Sequence, residues 1–438
     1  VKAFVKLFFC VVWILGVTQF IHAQPDSYVY AYMAISQFGD AAEIMLVNPR
    51  EATVESQPFP LPEGLIFSPR LKSLISPDVR WIASTLFAVD QSRIVIHLFN
   101  IEKQLEYEVA EGFVANYGKN LAWSQDSRYL AINIRLLNHN GINLYLYNIE
   151  KNELMKASIG TPLQREIAWS DDNTQLVTFS RPCLPDNACP DSLVLLDAAS
   201  GREIASASLA ELPFLGNSAC DPKFSPTRRY VSFVSNCGYG VPFSYDFSNE
   251  IYIWHIEERA LVKITDYAEG QANSSFQAKY NHAWLDDQTL LIGVNYRNGT
   301  DPEQQRLATY DFIGKMASTL SSEVGAAFEI DKTSGDIIFL PHLVFSDQPH
   351  KSEALLRLSN LSSISTLREH SLSIPHTCEA GFSPTGDLVA VITSKRACSL
   401  FIDGITFINS DASIIQAFPV ETDKSYRVGL GWIKHSGR

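Results

Sequence analysis

Three carboxylates and one imidazole stand at matching places in a chain that repeats itself. Glu166, Asp221 and Glu379 each lie three residues ahead of an aromatic residue, Trp169, Phe224 or Phe382, that ends a short apolar run; His282 lies two ahead of Trp284. Gathered at one mouth, such groups would hold a cation or a basic side chain. Carboxylates that converge also raise one another's pKa and can divide the work of acid and base. A water-lined mouth equally tolerates charged residues that have no task. Other copies put Lys72, Asn120, Asn281, Ala327 and Gly429 at the same place, with His376 just outside.

The segment NCGYGVPFSYDFSNE groups Tyr239, Phe243, Tyr245 and Phe247 beside Cys237. Exposed aromatics of this kind make binding hot spots, and they pack as readily against a neighbouring loop. The chain has no GxSxG elbow, no HExxH, no glycine-rich phosphate loop and no CxxC, so the sequence names no catalytic residue, no metal site and no cofactor. Asn273, Asn298 and Asn360 open N-x-S/T triplets, which matter where the host glycosylates.

These residues must be positioned by the repeat itself. Its copies include LISPDVRWIAS, LAWSQDSRYLAINI, IAWSDDNTQLVTFS, PKFSPTRRYVSFVS, HAWLDDQTLLIGVN and GFSPTGDLVAVITS; a weaker copy centres on Ile330, and GWIKHSGR stops after its first half. Each reads as an apolar stretch, an aromatic or aliphatic anchor, a polar turn and a second apolar stretch. The anchors, Ile75, Trp123, Trp169, Phe224, Trp284, Ile330, Phe382 and Trp432, are spaced 46 to 60 residues apart, too far for one hairpin and right for four short strands. Most copies continue with two further strand-like runs, as in INLYLYNIEKNELMKAS. The expectation is an all-β propeller of four-stranded antiparallel blades. SYVYAYMAIS resembles a second strand without a first, so the C-terminal strand should pair with the N-terminal strands and close the ring, giving eight blades, or seven if the copy at Ile330 is discounted. The segment from Phe59 to Arg70 has no assigned place.

Lys2 and Lys6 precede an apolar run from Leu7 to Ile21 and a small residue, Ala23, the layout of a secretory signal peptide. The run is short for a membrane span of ~20 residues, so residues 24–438 are expected as one domain, with no transmembrane segment once the signal is removed. The location is then secreted or periplasmic, in the cell envelope. Export agrees with six further cysteines. Cys220 and Cys378 each lie four residues before an anchor, while Cys237 and Cys398 each follow the second strand of the same blade, so these are matching pairs; Cys183 and Cys189 would close a short loop. All three fall on the face where the loops are long. With 46 percent hydrophobic residues the chain can bury a core, and a net charge of −13 gives no footprint for nucleic acid.

SPDVRWIAS, SPTGDLVAV and WSQDSRYLAIN resemble the S-P-D-G-R/K-x-(I/L)-A motif of TolB-type WD40-like (PD40) propellers. The resemblance covers nearly all of the chain after residue 23. It implies that Asp78, Asp126, Asp172, Asp287 and Gly386 occupy the turn between the two inner strands, and that partner proteins bind across a propeller face. Neither the α/β domain of TolB nor the hydrolase domain of prolyl-oligopeptidase-type peptidases is read in these 438 residues, so no peptidase activity is expected. The reading is a monomeric, non-catalytic propeller that binds a protein or peptide through its long-loop face. The alternatives are a hydrolase or lyase acting on a sugar or lactone at the acidic mouth, and a carbohydrate-binding module.

Overall fold

The computed structural model describes residues 27–67, 73–90, 92–113, 120–137, 139, 141–157, 167–180, 191–210, 212, 219–235, 250–265, 276–298, 304–312, 316–321, 328–330, 336–339, 355–360, 370–374, 377–394, 402–409, 413–420 and 426–435. Every regular element among them is a β-strand, and consecutive strands pair antiparallel in groups of four.

The strands of a group differ in burial according to their rank. Several third strands are largely buried because both of their faces are covered by neighbouring sheets; Ile94–Asn100 is buried at every position, and Ser192–Asp197 and Ile251–His255 are buried at all but the last. Outermost strands are wet, as in Thr53–Pro58 and Ile414–Pro419. The core is therefore a series of layers between sheets rather than one centre. One such layer joins Val177, Phe179 and Leu195 to Val231, Phe233 and Trp254 of the next sheet.

The turns between first and second strands share one construction. A buried serine (Ser76, Ser124, Ser170, Ser225, Ser383) accepts a hydrogen bond from the backbone N–H five residues on, at 2.9 to 3.3 Å. Four of these serines also donate to the turn aspartate: Ser76 to Asp78, Ser124 to Asp126, Ser170 to Asp172 and Ser383 to Asp387. The position three residues after the serine needs the left-handed backbone. Gly386 supplies it with φ +71°, whereas Val79, Ser127, Asn173 and Arg228 adopt it with side chains, at φ +55° to +63°. Three of those side chains bridge to the preceding sheet. Ser127 Oγ accepts from Asp78 N, Asn173 Oδ1 accepts from Asp126 N, and Arg228 pairs with Asp172 and donates to Thr174.

The strand Tyr426–His435 pairs along its whole length with Ser27–Ile35, which in turn pairs with Ala42–Asn48. Residues 65–67, which the repeat left without a place, pair with the upper part of Trp81–Ala88, while Leu74–Ile75 pairs with its lower part; together they fill the first-strand position of that sheet. Two groups are fused, because the outer strand Leu105–Phe113 reaches Arg135 and Leu136 in the next. Gly112 permits this: a Cβ there would collide with the Arg135 carbonyl.

Candidate functional site

First strands of successive sheets stand side by side, and an indole ties many of them together. Trp123 Nε1–H donates to Leu74 O at 3.3 Å, Trp169 to Ala122 O at 3.1 Å, Trp284 to Lys223 O at 3.1 Å and Trp432 to Gly381 O at 3.1 Å. Each acceptor lies one residue before the anchor of the preceding copy, so the indole joins one first strand to the next through a backbone carbonyl. Trp169 and Trp284 also stack on Tyr129 and Tyr230, the first residues of the preceding second strands.

Among the described residues, two cavities lie along these strands. The larger, about 650 Å3, is walled by five successive first strands through Ala122, Ala168, Phe224, Ala283 and Phe328, with Lys223, Asn281 and His282 on one side and Gln125 and Asp171 at the turn end. The smaller, about 590 Å3, lies among Ile75, Ala380, Gly429 and Trp432.

A polar knot occupies one wall of the larger cavity. Asp221 sits at φ +51° in a β-bulge between Cys220 and Lys223, a left-handed position that Asp tolerates better than most residues. The bulge turns its carboxylate to the Lys223 ammonium, 2.9 Å away. Lys223 also donates to His282 O at 2.6 Å and to Asn281 Oδ1 at 3.2 Å, and Asn281 donates to Phe328 O at 3.2 Å. Lys223 and Asn281 thus tie together three successive first strands. His282 is completely buried, its Nδ1 3.8 Å from Asp221. Burial, reinforced by the Lys223 charge and only partly opposed by Asp221, pushes its pKa down to about 3, so the imidazole is neutral at physiological pH.

Of the four channel-mouth residues read from the sequence, the structure brings Asp221 and His282 together. Glu379 lies in the strand Thr377–Phe382, its backbone opposite Ile392, and Glu166 falls outside the described residues. The sequence reading missed Lys223. Its signal was the alternation Asp-Pro-Lys in the first strand, which places two side chains on one edge once the bulge is known. The aromatic group Tyr239, Phe243, Tyr245 and Phe247 lies outside the described residues, as do Cys183, Cys189, Cys237, Cys398 and the N-terminal apolar run. Among the described residues no cluster of His, Cys, Asp and Glu could hold a metal ion, and no helix is long and apolar enough to cross a membrane.

No family model matches the chain, and no curated protein matches it. Solved structures do. A dihydro-heme d1 dehydrogenase NirN in complex with DHE is similar at 15% identity and TM-score 0.50, covering 92% of this chain and 75% of its own. A prolyl endopeptidase is similar at 10% identity and TM-score 0.50, over 82% of this chain and 50% of its own. The β-propeller domain of the Trilobed protease from Pyrococcus furiosus matches at 12% identity and TM-score 0.46, over 78% of this chain and 98% of its own. At these identities the likeness concerns the fold alone, and the succession of four-stranded antiparallel sheets is that of a β-propeller.

Proposed function

We propose that the protein is an exported β-propeller of eight blades, closed into a ring, that binds a protein or peptide partner through its long-loop face and catalyses no reaction. The observation that carries the non-catalytic reading is the state of the ionisable groups beside the larger cavity. Lys223 is committed to Asp221, Asn281 and the His282 carbonyl, and His282 is buried and neutral. An acid or base of catalysis needs a pKa near the working pH and access to a proton; in this knot His282 has neither, and Lys223 is taken up by its three acceptors. What it leaves is a largely apolar recess at the end of a rigid scaffold, a form suited to holding a side chain.

Eight blades and closure are supported by the eight anchors, by the tryptophan bonds from one first strand to the next, and by the pairing of Tyr426–His435 with Ser27–Ile35. Cys220 and Cys378 in disulfide linkage support export and the pairs Cys220 with Cys237 and Cys378 with Cys398. The single-domain reading of residues 24–438 belongs to the same proposal.

The test is capture from the host's envelope extract with residues 24–438 as bait, beside a variant in which Tyr239, Phe243, Tyr245 and Phe247 are all Ala. A partner held by the wild-type chain and lost by the variant supports the reading and places the contact. No partner with either bait, together with turnover of a sugar or lactone in a substrate screen, overturns it in favour of an enzyme.

A further inference from the structure

The turns joining second to third strands lie at the end opposite the Ser-x-Asp turns. In three successive blades each carries an exposed apolar side chain: Phe38 at 77% exposure, Val89 at 62% and Leu137 at 43%. Single exposed hydrophobes are ordinary, but these three belong to one connected rim. Phe67 N–H donates to Gly39 O at 2.9 Å and Val89 N–H to Gly64 O at 3.0 Å, so the strand Leu65–Phe67 spans from one turn to the next. Three residues of strand cover about 10 Å. Leu137 N–H donates to Glu111 O at 3.3 Å, and Glu111 pairs with Val95 in the strand that leaves the Val89 turn.

The rim is rigid before any partner arrives. Leu65–Phe67 is pinned to both neighbours, and Leu105–Phe113 crosses into the next blade at Arg135 and Leu136. A surface already ordered loses little conformational entropy on binding.

Charge selects the partner. Asp40 follows Phe38 by two residues, Asp90 follows Val89 directly, Glu63 precedes Gly64, and all three are exposed. Of the nearby cationic side chains among the described residues, Arg93 is ion-paired with Glu111 and the Arg135 guanidinium lies 4.5 Å over the Phe113 ring; His139 is exposed. Apolar tips set among carboxylates on a chain of net charge −13 complement a segment in which apolar residues alternate with Lys or Arg, and they repel an acidic one. We propose that this rim is a docking surface for an extended, basic and apolar segment of a partner protein. It rests on the partner-binding reading above.

The test selects a phage-displayed library of random peptides, about twelve residues long, on the immobilised 24–438 chain. The selected peptides are then titrated by fluorescence anisotropy against wild type, against Phe38→Ser/Val89→Ser/Leu137→Ser, and against Asp40→Asn/Glu63→Gln/Asp90→Asn. The expected peptides combine Leu or Phe with Lys or Arg, bind each variant about tenfold or more weakly, and weaken as salt is raised. Failure to enrich any peptide, selected peptides without basic residues, or equal binding to the variants overturns the inference. The six side chains are exposed, and a melting curve for each variant confirms folding. If the rim variants keep a partner that the four-aromatic variant loses, the docking inference fails while the partner-binding reading stands.

Discussion

At the residue scale the most consequential group is His282, because its cavity wall and its titration share one cause. Burial, then Lys223, holds the folded pKa at about 3, whereas an unfolded chain regains the ordinary 6.5. The unfolded state therefore takes up a proton that the native state refuses. Stability is unaffected above about pH 6.5 and falls as the pH drops from there toward 3, with a slope of about 1.4 kcal/mol per pH unit for one proton. The turn carboxylates act in a different window. Desolvation pushes Asp126, Asp172 and Asp387 up, but hydrogen bonds from the turn serines and neighbouring groups outweigh it and leave each below its ordinary value. Their contribution is whole above about pH 4 and is lost as the pH falls through their lowered folded values. Acid sensitivity between pH 6 and 4.5 thus contains one proton from His282. In urea unfolding across that range, His282→Gln should reduce the slope of stability against pH by about one proton relative to wild type, whatever its absolute stability. An unchanged slope would mean that His282 is accessible and titrates normally in the folded protein.

At the element scale the unit is the Ser-x-Asp turn, which explains how far the sequence could be read. The serine, the aspartate and the anchor are local, so eight copies and their four-strand period were visible in the chain. The left-handed position was not read, because PD40-like turns put Gly there and this chain puts Val79, Ser127, Asn173 and Arg228. Three of these spend their side chains on the preceding blade, a contact between residues about fifty apart that no local pattern encodes. The Asp287 turn shows the same limit. Its internal acceptor is Asp286, which takes the N–H groups of Gln288 and Thr289, while Asp287 reaches back to Thr227. Lys223 escaped notice for a related reason, since its bond partners come from a bulge and from another strand 58 residues on. Two substitutions separate backbone strain from bridging at Asn173. Asn173→Gly removes the bond to Asp126 N–H and relieves the positive φ, so the two effects largely cancel. Asn173→Ala removes the bond and keeps the strain, and should cost about 1 to 2 kcal/mol more than the glycine variant. Equal stabilities of the two in chemical denaturation would show that the left-handed turn is not retained.

At the scale of the whole molecule the decisive joint is the pairing of Tyr426–His435 with Ser27–Ile35. Trp432 bonds Gly381 on one side and meets Tyr30 edge-on, with ring centroids 5.9 Å apart, on the other. Its layer also holds Leu388, Ile405 and Phe407. Removing residues 426–438 would therefore expose a full strand edge on Ser27–Ile35 and strip an apolar layer at the same time. An unpaired edge flanked by apolar surface is a template for association with other chains. The shortened protein should melt well below the intact one and elute as larger species than the intact chain. A synthetic peptide of residues 426–438 added during refolding should restore the elution of the intact chain, because strand addition replaces both the hydrogen-bond ladder and the Trp432 contact. Size-exclusion chromatography with and without the peptide reads this directly. A shortened chain that elutes and melts like the intact protein would show that the terminal strands add little to the fold, and that the other sheets hold one another in place without them.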